Sequence, residues 1–87
     1  MGKKARGLTK SLHSPDHAAL CALLLAFRRK AGLTQQDVAI RLKRPQSFVA
    51  KIEGGERRLD VLEFIGFAQA IDTDPIKILR ALSKNRR

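Results

Sequence analysis

Apolar residues recur with helical spacing along most of the chain, and no segment shows the strict alternation typical of a half-buried strand. The longest such repeat, at i, i+4, i+7 and i+11, consists of Leu20, Leu24, Phe27 and Ala31. Ser14 followed by Pro15 is typical of a capped helix start, and Gly32 is typical of a helix end. The first predicted helix therefore covers about residues 15–31.

Four shorter helices follow in the prediction, each opened by a capping residue or a proline. Their starts are marked by Thr34, Pro45, Asp60 and Asp74-Pro75. Asp37 lies three residues after Thr34, which predicts a capping-box-like pair. The third helix covers residues 45–54 and ends at a Gly-Gly pair, and the fourth covers about residues 61–71. The sequence thus predicts an all-α fold of five short helices around one core.

Length and charge narrow the classes of function. A chain of 87 residues with 44% hydrophobic and 30% charged residues is expected to form one small globular domain, and its net charge of +10 predicts an anionic partner. We expect residues 14–83 to form that domain, with a flexible basic arm at 1–13 and a basic tail at 84–87. The arm either keeps the protein soluble or contacts DNA.

Several kinds of chemistry find no support in the residues. A single cysteine excludes a disulfide framework and indicates a reducing compartment, which we take to be the cytoplasm. The ten-residue apolar run 18–27 is too short to cross a bilayer, and we expect no membrane association. His13, His17 and Cys21 are spaced by four residues, but Pro15 starts the helix after His13, so we expect no metal site. No catalytic or cofactor motif is present, and we expect no enzyme activity.

The second and third predicted helices carry the pattern that points to function. A short turn at residues 42–44 joins them, as in a helix-turn-helix, where the second helix enters a major groove. Residues 32–42 read GLTQQDVAIRL and residues 45–57 read PQSFVAKIEGGER. This pattern resembles the phage repressor and Cro type of helix-turn-helix, also called the xenobiotic response element (XRE) family. The resemblance covers about residues 20–82 and implies a five-helix, lambda-repressor-like DNA-binding domain.

The resemblance also implies roles for individual side chains. Gln35 matches a glutamine that bonds a phosphate and supports the recognition helix. Gln46, Ser47 and Lys51 match positions that read bases, for which their hydrogen-bonding groups are suited. Alternatively, Gln46 and Ser47 only cap the third helix and Lys51 is a solvated charge. The family also pairs an arginine of the first helix with a glutamate of the third, here Arg28 and Glu53.

Basic residues flank the predicted recognition helix on both sides, where phosphates would lie. They are Arg41, Lys43, Arg44, Arg57 and Arg58. We expect Phe48 to pack partly against the core, although contact with a thymine methyl is an alternative. Lys43 and Asp72 stand where the family usually has a left-handed glycine, which predicts about 1 kcal/mol of strain at the lysine.

These observations predict a sequence-specific, double-stranded-DNA-binding transcriptional regulator, either a repressor or an operon controller. We expect a homodimer on an inverted repeat, because one recognition helix reads few base pairs. The apolar positions of the fifth helix available for a twofold contact are Ile76, Ile78, Leu79 and Leu82. The alternative is a protein-interaction module or an antitoxin-like partner of another protein. RNA binding is less favoured, because the chain has no Trp or Tyr on which unstacked bases could stack.

Overall fold

The computed structural model describes residues 14–85, and the predicted arm at 1–13, including His13, lies outside the described residues. The helices are α1 (Pro15–Lys30), α2 (Gln35–Leu42), α3 (Gln46–Glu53), α4 (Val61–Ala70) and α5 (Pro75–Asn85). This part of the chain contains no strand, so the predicted all-α fold with five helices is confirmed. Helix α5 includes Lys84 and Asn85, which the sequence analysis placed in the tail. None of the helices in residues 14–85 is both long and apolar enough to span a membrane.

Side-chain caps mark where four of the helices begin, including α5, where the Asp74 carboxylate accepts a hydrogen bond from the Ile76 backbone N–H at 2.9 Å. The Ser14 hydroxyl accepts a hydrogen bond from the His17 backbone N–H at 3.1 Å, with Pro15 in the first turn as predicted. Thr34 and Asp37 form the predicted capping box, with bonds of 3.0 and 2.9 Å. Hydrogen bonds donated by the Thr34 backbone and side chain lower the pKa of Asp37. Asp60 heads a second capping box, which the sequence analysis predicted only as a single cap.

Helix α3 begins without the side-chain cap that the other helices have. Pro45 is its N-cap and not its first helical residue, so the helix starts at Gln46, one position later than predicted. Pro45 has no polar side chain, and no side-chain hydrogen bond caps this helix. The interpretation of Gln46 and Ser47 as caps of α3 is therefore not what this structure shows. Lys43 and Asp72 adopt the left-handed conformation expected at their positions, with φ 58° and φ 56°.

The core lies where the helix-turn-helix packs on α1, α4 and α5. Its fully buried side chains include Leu24, Val38, Val49, Ile52, Phe67, Ile71 and Ile78. Ala39 is 1% exposed, so little more than a methyl group is accommodated at this position of α2. Cys21 is buried, and desolvation raises the pKa of its thiol.

Candidate nucleic-acid interface

Helix α3 has one face in the core and one in solvent. Val49 and Ile52 are buried, and they fix the rotation of the helix. Gln46, Ser47 and Lys51 are exposed, and at 3.6 residues per turn they lie within an arc of about 140° on the opposite side. The three predicted base-reading residues therefore share one solvent-facing surface.

A buried ion pair lies beneath this surface. The Nε and Nη2 atoms of Arg28 donate to the two carboxylate oxygens of Glu53 at 2.6 and 2.9 Å, and Nη1 donates to the Leu33 carbonyl at 2.8 Å. The residues are 7% and 9% exposed. Hydrogen bonding to Glu53 raises the pKa of Arg28 despite its burial. The pair that the family resemblance implied is thus confirmed, and it joins α1 to the end of α3.

Hydrogen bonds extend from this pair to the start of α3. The Gln35 Nε2 donates to Glu53 Oε1 at 3.0 Å, and the Gln46 Nε2 donates to Gln35 Oε1 at 3.2 Å. Because a carboxylate only accepts, the amide of Gln35 must present its N–H to Glu53 and its oxygen to Gln46. This fixes the direction of the Gln46 bond. Within residues 14–85, the carbonyl oxygen and the second N–H of the exposed Gln46 side chain are not used by this bond and face solvent.

The guanidinium groups of two arginines lie over the Phe48 ring. Its half-buried ring packs against the core, which confirms the predicted partial packing. The guanidinium carbon of Arg44 lies 4.6 Å from the ring centroid and that of Arg57 lies 4.7 Å from it, both within range of a cation–π contact. These contacts were not predicted from the sequence, although the four-residue spacing between Arg44 and Phe48 is compatible with a contact between neighbouring turns of the chain.

Arg57 is held by an acidic residue of α4. Its Nη1 and Nη2 donate to the two oxygens of Glu63 at 3.0 and 2.8 Å, and Nη1 also donates to the Arg58 carbonyl at 2.8 Å. The hydrogen bonds from Arg57 and from the Asp60 backbone lower the pKa of Glu63 to about 2. The pKa of Arg57 is raised by the same contact. The sequence analysis did not single out Glu63 as part of the site.

The remaining basic residues divide into two groups. Arg41 donates to the Ala70 carbonyl at 2.7 Å and to Asp72 at 3.1 Å, so it binds the C-terminal end of α4 and does not join the residues of α3. Lys43, Arg44 and Lys51 are exposed, and the salt bridges found within residues 14–85 do not include them. Arg58 is exposed on the loop after α3.

Comparison with known proteins agrees with this geometry. A family model described as a helix-turn-helix domain matches residues 19–81. An XRE-family like protein from Pseudomonas syringae pv. tomato str. DC3000 is 49% identical, with a TM-score of 0.80 over 92% of this chain and 98% of that one.

Two restriction-modification controller proteins are also similar in structure. C.AhdI from Aeromonas hydrophila is 25% identical, with a TM-score of 0.69 over 75% of this chain and 98% of that one. The C.Esp1396I tetramer in complex with its natural 35 base-pair operator is 18% identical and shares the fold, with a TM-score of 0.75 over 82% of this chain and 93% of that one. No curated protein matches the sequence. The extent of the family match and the 49% identity show that this chain belongs to the XRE-type helix-turn-helix family.

Proposed function

We propose that this protein is a transcriptional regulator that binds double-stranded DNA in a sequence-specific manner, as a repressor or operon controller, and reads the major groove with α3. The orientation of Gln46 is the observation that carries this proposal. Its bond to Gln35 leaves one acceptor and one donor in the exposed amide. Adenine presents the matching donor N6 and acceptor N7 in the major groove.

The other exposed side chains of α3 extend the proposed contact. Lys51 can donate to the O6 and N7 atoms of guanine, and Ser47 can donate or accept. We assign phosphate contacts to Lys43, Arg44 and Arg58, and to the Gln35 amide where it faces the backbone of DNA. Arg41 and Arg57 already donate to groups inside the chain, so a phosphate contact by either would compete with those bonds.

The net charge and the relatives support the same partner. A charge of +10 favours a polyanion, since phosphate neutralisation supplies most of the affinity that does not depend on sequence. C.Esp1396I, which shares the fold, forms a complex with its operator. We infer that the present protein acts in the cytoplasm without enzyme activity.

A homodimer is part of the proposal. Ile76 and Leu79 of α5 are 51% and 45% exposed, whereas Ile78 is buried in the core and Leu82 is half-buried. We infer that the exposed pair meets its copy across a twofold axis. An isologous contact of this kind would place two recognition helices about 34 Å apart, which is one turn of DNA.

The dimer is tested by changing this pair. Ile76→Glu/Leu79→Glu should give a monomer by sedimentation velocity at micromolar concentration, with weaker binding to an inverted repeat. Leu62→Glu is the matched control, because Leu62 is 80% exposed but lies on α4. A wild-type monomer that binds an isolated half-site as tightly as the full repeat would refute the dimer.

A protein-interaction module, such as an antitoxin-like partner, is the second candidate. The observation that favours it is the adjacent apolar pair Val61 and Leu62, which are 71% and 80% exposed and lie outside α5. Titration with nucleic acid separates the two functions. An interaction module would bind duplexes selected from a random pool no more tightly than random DNA, whereas the proposed regulator would bind the selected duplexes more tightly.

Base reading is tested on Gln46. Fluorescence anisotropy should show that Gln46→Ala costs about 1–3 kcal/mol on the selected duplex and much less on random DNA, because the lost bonds are to one base pair. Gln69→Ala serves as the control, since Gln69 is an exposed glutamine of α4. Equal losses on both duplexes would show that Gln46 does not read a base.

A further inference from the structure

We propose that Arg57 and Glu63 are positioning residues, which hold Phe48 and with it the first turn of α3, and that Arg57 does not act as a phosphate contact. The inference deepens the proposed DNA-binding function and rests on it. It revises the phosphate-contact role that the sequence suggested for Arg57.

The Phe48 ring lies on the same turn of α3 as two of the proposed base-reading residues. Phe48 is the third residue of α3 and directly follows the two proposed base-reading residues, Gln46 and Ser47. Two guanidinium groups lie within 4.7 Å of its centroid. The ring is half-buried against the core, and the two guanidinium contacts restrict it further. Phe48 is therefore held in place, and with it the first turn of the helix.

Glu63 is held in place by hydrogen bonds that do not involve Arg57. Its Oε1 accepts from the Asp60 backbone N–H at 3.1 Å, and its own N–H donates to the Asp60 carboxylate at 2.7 Å. Glu63 is thus part of the cap that begins α4. The fork of Arg57 binds both of its oxygens, which connects the start of α4 to the first turn of α3 through the Phe48 ring.

The charge of Arg57 is compensated inside the chain. Arg57 places both terminal nitrogens on acceptors within the chain, and the negative charge of Glu63 cancels its positive charge. A neutralised arginine attracts a phosphate weakly and contributes little to counterion release. Arg44 touches the same ring but belongs to no salt bridge within residues 14–85, so it supplies the exposed charge on this side.

The DNA experiment compares Arg57→Ala and Glu63→Gln with Arg58→Ala on selected and random duplexes over a range of salt concentrations. For a positioning role, the first two variants should lower the ratio of selected to random affinity by about fivefold to tenfold, the size expected for losing a cation–π contact. For Arg57→Ala, the slope of log K against log salt should stay at the wild-type value. Arg58→Ala should flatten that slope by about 1 at an unchanged ratio.

The opposite pattern would overturn the inference. If Arg57 binds phosphate, Arg57→Ala flattens the slope at an unchanged ratio, and Glu63→Gln tightens binding to both duplexes because it releases the guanidinium group. Melting curves followed by circular dichroism establish that each variant is folded. If the wild-type protein shows no preference between the two duplexes, the proposed function itself fails.

A measurement without DNA tests the positioning contact separately. The aromatic ring should shift the side-chain N–H resonances of Arg44 and Arg57, and Phe48→Leu should abolish both shifts. Glu63→Gln should reduce the shift of Arg57, since the carboxylate holds it over the ring. An unchanged Arg57 resonance in Glu63→Gln would show that Glu63 does not position it, whatever DNA the protein binds.

Discussion

Removing Arg28 alone should destabilise the protein more than removing Arg28 and Glu53 together. The carboxylate of Glu53 accepts two hydrogen bonds from Arg28 and one from Gln35. In Arg28→Met it would keep only the bond from Gln35, while its side chain is 2% exposed to water. A buried charge that loses its partner costs about 3–5 kcal/mol.

The double variant should recover much of this loss. In Arg28→Met/Glu53→Leu no charge is stranded, and the replaced pair can be nearly neutral in free energy of unfolding. The Leu33 carbonyl and the Gln35 amide still lose their partners, which costs about 1 kcal/mol each where they are partly buried. The double variant should therefore lie between the wild type and either single variant.

Urea unfolding followed by circular dichroism measures these differences. For a domain of this size, 1 kcal/mol corresponds to about 4–8 °C in melting temperature, so Arg28→Met should lower it by at least about 12 °C. Arg29→Met is the matched control, because Arg29 is the exposed neighbour on α1. The reasoning is refuted if both single variants stay within about 0.5 kcal/mol of the wild type, or if their costs simply add in the double variant.

Three further outcomes are expected. Lys43→Gly should raise the free energy of unfolding in urea by about 1 kcal/mol, because glycine relieves a φ of 58°, and no gain would contradict the strain. The pKa of Glu63 in the folded protein is lowered from 4.5 to about 2. The contribution of its carboxylate to the free energy of unfolding is therefore complete above pH 4.5 and is lost as the pH falls towards 2. The difference in melting temperature between the wild type and Glu63→Gln should shrink from pH 6 to pH 3. Deletion of residues 1–12, which contain four basic residues and no acid, should leave the melting temperature unchanged and weaken DNA binding mainly at low salt.

Local signals predicted the fold because they act over a few residues. The capping box of Thr34 and Asp37 joins positions three apart, and so does the cap of α1, in which Ser14 accepts from the backbone of His17. Such features depend on spacing alone and can be read from a single sequence. The boundary of α3 was misplaced by one residue, since a proline serves as N-cap or as first helical residue with nearly the same backbone φ.

Contacts between distant residues could not be obtained in this way. Arg28 and Glu53 are separated by 25 positions, and only the resemblance to a family paired them. The bonds of Arg41 depend on how α2 packs against the end of α4, and the pairing of Arg57 with Glu63, six positions apart, depends on the path of the loop before α4. In the sequence, neither of these arginines can be distinguished from the other basic residues near the recognition helix. Only the fold distinguishes those with acceptors inside the chain from those that face solvent.

The start of α3 explains why such contacts matter. This helix has eight residues and no side-chain cap, so its first turn gains little stability from its own sequence. Tertiary contacts supply what is missing from two sides. Gln46 is bonded to Gln35 above the buried pair of α1 and α3, and Phe48 is held from α4 through Arg57 and Glu63. Both sets of contacts end on the turn that carries the proposed base-reading residues. A substitution that removes the Gln35–Gln46 bond or the Arg57–Glu63 pair should therefore lower DNA selectivity while the protein remains folded.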